Sequence, residues 1–130
     1  MHPQLKKLYK KLPKIKCKGL CYGQCTIIGV AHIEREEIVN KINYDPFIDI
    51  VEHDPTFGKQ RKYITKCNEG NIRCPMLTSE NKCGIYENRP LICRVYGTTK
   101  MLQCGFGCVP DEWIKDTEVA KILMEIEKIT

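Results

Sequence analysis

Lys82-Cys83-Gly84-Ile85-Tyr86-Glu87-Asn88-Arg89-Pro90-Leu91-Ile92-Cys93-Arg94 is the stretch on which the reading of this chain turns. A glycine follows its first cysteine, a proline precedes its second, and no hydrophobic period of either helix or strand runs through it. Outward from it the cysteines continue at 74 and 67 on one side and at 104 and 108 on the other. Pro75, Pro90, Pro110 and Gly70, Gly84, Gly97, Gly105 and Gly107 fall among or just beyond them, so 67–108 reads as loops and short turns. A tighter run, Cys17-Lys18-Gly19-Leu20-Cys21-Tyr22-Gly23-Gln24-Cys25, reads as a bent loop whose glycines let successive thiols face one point.

Helical periodicity flanks this irregular centre. Leu5, Leu8, Tyr9 and Leu12 fall at i, i+3, i+4 and i+7 with lysines on the other face, predicting an amphipathic helix up to Pro13. Glu34–Ile42 carries acids early, a lysine late, and Ile38 and Ile42 on one face, predicting a second helix. Pro110-Asp111-Glu112 is read as opening a closing helix with Ile114, Ile122, Ile126 and Ile129 near one face. Residues 43–66 hold Asp45-Pro46, Asp54-Pro55 and Gly58 and show weak pattern in either period. The expected fold is small and mainly α, with irregular cysteine-rich loops in a single metal-stapled domain. Its parts are a basic N-terminal helix (1–16), a cysteine-cluster region (17–109) and a C-terminal helix packing on the same domain (110–130).

The metal follows from the cysteine count. Nine cysteines in 130 residues are too many to be buried small hydrophobes alone. An odd number, with no apolar signal-peptide core after the N-terminal lysines, favours thiolates in a reducing cytoplasm over a disulfide framework. No apolar run approaches the roughly 18 residues of a membrane span. Thiolate sulfur is a soft ligand for zinc and iron–sulfur centres, each taking about four protein ligands. The spacings C-x3-C-x3-C at 17, 21 and 25, then 67, 74, 83, 93, 104 and 108, contain no C-x2-C knuckle of a zinc ribbon. They also miss the radical-SAM spacing by one residue, in a chain too short for that barrel. An iron–sulfur cluster is favoured over zinc, and the candidate ligands are Cys17, Cys21, Cys25, Cys67, Cys74, Cys83, Cys93, Cys104 and Cys108, with Cys104 the weakest member.

Around these ligands, Pro90 suits a first helical turn whose N–H groups would face an anionic metal–thiolate centre near Cys93. Arg73, Arg89 and Arg94 are candidates to neutralise thiolate charge or donate to sulfur, Arg89 being equally suited to a surface pair with Glu87. Tyr86 is read as ordinary core beside a ligand. His2, His32 and His53 show no pairing at ligand spacing and are left out. The formal net charge is +5, concentrated in Lys6, Lys7, Lys10, Lys11, Lys14, Lys16 and Lys18. Such a face is commonly just solvated, but it could meet an acidic protein or a nucleic acid.

Arg73-Cys74-Pro75-Met76-Leu77 followed by Lys82–Tyr96, with its C-x-I-Y-E-N-R-P-x-x-C-R core, resembles the YkgJ-type CxxCxxCC cysteine-cluster family of zinc- or iron-chelating proteins. The resemblance extends upstream through Cys67 and Glu34–Ile42 to Cys17, covering most of 17–108. One departure is that the family's first run ends in adjacent cysteines, whereas Thr26 stands here after Cys25; Cys104 or Cys108 is the candidate replacement. The resemblance implies metal binding with a structural, electron-transfer or redox-sensing role. Two alternatives stand beside it. One is a metal-stapled interaction module. The other is a metal-dependent oxidoreductase or methyltransferase component, since a flagellin lysine methylase is among the family's relatives, although no glycine-rich nucleotide loop occurs here.

Overall fold

Turn residues bracket two eight-residue runs in the middle of the chain, and the computed structural model, which describes residues 1–15, 25–56, 58–66 and 72–129, pairs them as a hairpin. After a short helix α1 (Pro3–Tyr9) come β1 (Gly29–Val30), α2 (His32–Ile42), β2 (Phe47–Asp54) and β3 (Gly58–Thr65), then α3 (Leu91–Val95) and α4 (Asp116–Ile126). The strands form one antiparallel sheet in the order β1-β3-β2, with Phe47 opposite Thr65, Asp54 opposite Gly58 and Val30 opposite Tyr63. Among the described residues, four α-helices and a three-stranded antiparallel sheet correct the expectation of a mainly α protein.

The sheet was hard to read because little of the hairpin enters a core. Phe47 at its base is buried, but Ile48 and Val51 are 41% and 50% exposed. With apolar residues on both faces of the arm, the period-2 alternation that marks a half-buried strand is lost. The base is held by Thr65 N–H donating to the Ile28 carbonyl (3.0 Å), Ile28 N–H donating to Thr65 Oγ1 (3.0 Å) and Lys66 N–H donating to the Pro46 carbonyl (2.7 Å).

Two apolar clusters share α2. In the first, Leu5 and Leu8 of α1 meet Ala31, Ile33, Leu91 and Val95, and Val119, Ile122 and Ile126 of α4. In the second, Val30, Ile38 and Phe47 meet Cys74, Met76 and Ile85, with Cys25, Tyr63 and Cys83 packed at its margin. The α1 stripe is as expected, although the helix ends at Tyr9. The closing helix starts later than Pro110, because Pro110 bridges Ile15, Asp111 N–H donates to the Lys14 carbonyl (3.1 Å) and Ile114 N–H donates to the Thr98 carbonyl (3.0 Å). Those bonds keep the chain extended until Asp116, whose carboxylate takes the Thr99 hydroxyl. Among the described residues no helix is long and apolar enough to cross a membrane.

Glu34, in the first turn of α2, is 3% exposed. Its carboxylate accepts the Ala31 N–H (3.1 Å), which caps its own helix, together with the Tyr9 hydroxyl from α1 and the Leu91 N–H that begins α3. Burial pushes this carboxyl above its ordinary pKa, opposed by those three donors; burial and the adjacent carboxylate push the Tyr9 hydroxyl up in turn. Glu34→Ala strands three donors inside the fold and should cost about 3 kcal/mol in urea unfolding, Glu34→Gln roughly half of that, and Tyr9→Phe about 1 kcal/mol. Equal midpoints for wild type and Glu34→Ala would remove Glu34 from this role.

Candidate metal centre

Between Cys74 and Cys83 the chain makes a compact turn that returns the second cysteine beside the first. Leu77 N–H donates to the Cys74 carbonyl (3.2 Å), Leu77 bridges Cys83, and Thr78 N–H donates to the Lys82 carbonyl (2.7 Å). Asn81 takes the left-handed backbone that closes the turn, a conformation asparagine tolerates better than most residues. Arg73 fastens it, Nη1 donating to Asn81 Oδ1 (2.7 Å) and Nη2 to the Thr78 carbonyl (2.6 Å). After Cys83 the chain passes so close that a Cβ on Gly84 would lie 2.9 Å from the Met76 carbonyl oxygen, which explains a glycine there. Cys25 joins through its backbone, its carbonyl accepting the Cys74 N–H at 2.8 Å.

Cys93 reaches this group from α3. Burial first, then the neighbouring thiols of Cys74, Cys83 and Cys25, push its pKa from the ordinary 9.0 up to about 12, while the Arg89 guanidinium pulls the other way. The thiols of Cys74, Cys83 and Cys25 therefore lie close enough to Cys93 to oppose its ionisation. Among the described residues no three His, Cys, Asp or Glu side chains already stand close enough to hold an ion. The donor chemistry nonetheless fits a thiophilic metal, since soft sulfurs gathered with one guanidinium in reach ionise readily only when a cation offsets their charge.

Cys104 and Cys108 lie on the loop after α3. A Cβ on Gly97 would come within 3.8 Å of Cys104 Cβ, Phe106 N–H donates to Cys104 Sγ (3.4 Å), and Cys108 is buried two residues before the Pro110–Ile15 bridge. Cys17, Cys21 and Cys67 lie outside the described residues. Arg94 donates through Nε to the Arg89 carbonyl (2.6 Å) and through Nη2 to the Glu87 carbonyl (2.9 Å), and its guanidinium lies 4.0 Å from the centre of the Tyr9 ring. Arg89 sits 3.9 Å over the Tyr86 ring and donates from Nε to the Tyr86 carbonyl (3.0 Å). Tyr86 itself is 46% exposed, not core. Pro90 is the residue before α3, and the first N–H of that helix goes to Glu34, which the sequence marks only as an early acid of the second helix. His32 pairs with Glu36 (3.0 Å) and His2 Nδ1 accepts the Gln4 N–H (3.2 Å).

The raised thiol gives a pH signature. A group whose folded pKa lies above its unfolded value stabilises the fold fully below the unfolded value and loses that contribution as pH rises. Metal-free protein should therefore lose stability between pH 9.0 and about 12. Cys93→Ala should flatten that part of the denaturation profile, and an unchanged slope would show that Cys93 is not the group responsible.

No curated protein and no solved structure matches the chain. A family model does, over residues 16–121, a span that takes in all nine cysteines, the Arg73 turn, α2 and most of α4. The chain belongs to the CxxCxxCC family, described as "Putative zinc- or iron-chelating domain", and metal binding is the property that membership carries.

Proposed function

We propose that this protein is a single metal-stapled domain that holds an iron–sulfur cluster through its cysteines, with zinc as the competing occupant. The observation that carries the reading is the closeness of Cys74, Cys83 and Cys25 to Cys93, whose own ionisation they oppose with no carboxylate among the forces acting on it. Such a set gains most from a thiophilic centre, because binding exchanges thiol protons for metal and the gain appears as folding free energy. Cys17, Cys21 and Cys67 enter the ligand set on sequence grounds. Cys108 stands two residues from the Ile15–Pro110 bridge, and Cys17 follows that bridge by two residues in sequence. This supports Cys108 over Cys104 as the sulfur that stands in for the family cysteine replaced by Thr26.

A bound iron–sulfur cluster supplies one-electron chemistry, whereas a zinc ion closed by four thiolates supplies structure alone. The protein's own part is to keep Cys93 partly buried, to keep Cys74 and Cys83 adjacent through the Arg73 turn, and to bring the Arg89 charge within reach. We read the role as structural and electron-carrying or redox-sensing, in a reducing cytoplasm where nine thiols remain available.

Anaerobic purification followed by assay of iron, zinc and acid-labile sulfide tests the occupant. Iron with sulfide and a broad absorption near roughly 400 nm is expected; colourless zinc would replace the cluster reading with a structural one, and neither metal would remove both. Cys74→Ser, Cys83→Ser and Cys93→Ser should each strip most of the metal, and Cys108→Ser should lower metal content more than Cys104→Ser. Arg89→Gln should weaken retention against a chelator by about tenfold.

A further inference from the structure

The lysines of the N-terminal segment divide between two sides of α1. Lys7 and Lys11 face α4, where Lys11 pairs with Glu125 at 3.3 Å. Lys6, Lys10 and Lys14 instead line an open cleft of about 540 Å³ together with Arg89 and Arg94, with Glu87 the single carboxylate among the described lining residues. Among the described residues none of those three lysines forms an ion pair, and the two terminal nitrogens of Arg89 carry no hydrogen bond. Among the described residues, five cations against one anion is an unbalanced field that an anionic ligand would relieve.

Size and lining narrow the ligand. A lone inorganic anion is far smaller than this space, which falls within the roughly 300–1,000 Å³ of sites for small organic molecules. The wall is not only charged: Leu12, Pro13 and Ile15 line it, and so do the Tyr9 and Tyr86 rings. Each tyrosine has a guanidinium over one face, at 4.0 Å and 3.9 Å, and the half-exposed Tyr86 leaves ring surface on which a planar group can rest. Phosphate oxygens suit guanidinium and ammonium donors, and a flat base suits an aromatic wall.

We propose that this cleft binds a nucleotide, its phosphates held by Lys6, Lys10, Lys14 and Arg89 and its base against Tyr86. The cleft borders the thiol neighbourhood through Arg89, which acts on Cys93 as well, but its other phosphate-binding groups are the α1-side lysines, and it does not depend on which metal the thiols hold. The same chemistry could be offered by a free nucleotide or by one unit of a single strand.

The test is calorimetric titration of the full chain, as purified with its metal, against ADP, sodium phosphate and a short oligothymidylate. Saturable binding of ADP, with phosphate weaker by about tenfold or more, is expected for a free nucleotide; tighter binding of the oligonucleotide, with affinity falling steeply in salt, identifies a strand as the source. Phosphate binding as tightly as ADP, or no saturation by any of the three, would overturn the proposal. Lys6→Glu/Lys10→Glu, both at exposed positions, should weaken binding by about tenfold or more. Lys7→Glu/Lys11→Glu, on the other side of the helix, should leave it unchanged. Equal loss in the two pairs would reduce the effect to overall charge and refute the cleft.

Discussion

One buried carboxylate joins the pieces of this fold. Glu34 is enclosed where α1, α2 and α3 converge, and it takes a hydroxyl from the first, its own helix-capping N–H from the second and the opening N–H of the third. A carboxylate in so dry a place is tolerable only with its lone pairs filled. The three elements must therefore arrive together, and no one of them can shift without leaving a donor or acceptor bare. The apolar clusters on either side supply the bulk of the burial, but they are non-directional; Glu34 gives them a register.

That register reaches the cysteines. Because the first N–H of α3 is fixed to Glu34, the short helix enters at a set angle, and Cys93 two residues later faces Cys74, Cys83 and Cys25. Arg94, next along, turns back to the Arg89 and Glu87 carbonyls and to Tyr9, so the same helix also ties the loop before it to α1. Arg89 alone among the three arginines is felt at Cys93. Arg73 and Arg94 shape the chain around the thiols, which is how a loop-rich region with few ladder hydrogen bonds keeps its side chains in one place.

Much of this was legible in order. The Leu5, Leu8, Tyr9, Leu12 stripe and the acids of Glu34–Ile42 gave their helices because 3.6-residue periodicity survives wherever one face is buried. The motif from Cys74 to Arg94 gave the family. The hairpin was missed because Ile48 and Val51 are exposed and blur the alternation. The burial of Glu34 was not legible because a glutamate in a first helical turn looks the same whether it caps in water or in a core; its spacing of three from Ala31 was half of a capping box and the one available hint. Tyr86 was misread because proximity in sequence to Cys83 says nothing of which way a ring turns once Arg89 offers it a cation.

The hairpin that escaped the sequence reading has a consequence of its own. Phe47 and Thr65 fix its base, while the arm between them and the Asp54–Gly58 pair hangs almost wholly outside both clusters. Residues added or removed in matched pairs along that arm would leave the base register, and hence the parity of every side chain below it, untouched. The arm is thus a place where length and sequence can change without moving the base, where Phe47 packs in one cluster with Cys74 and, at its margin, Cys25 and Cys83.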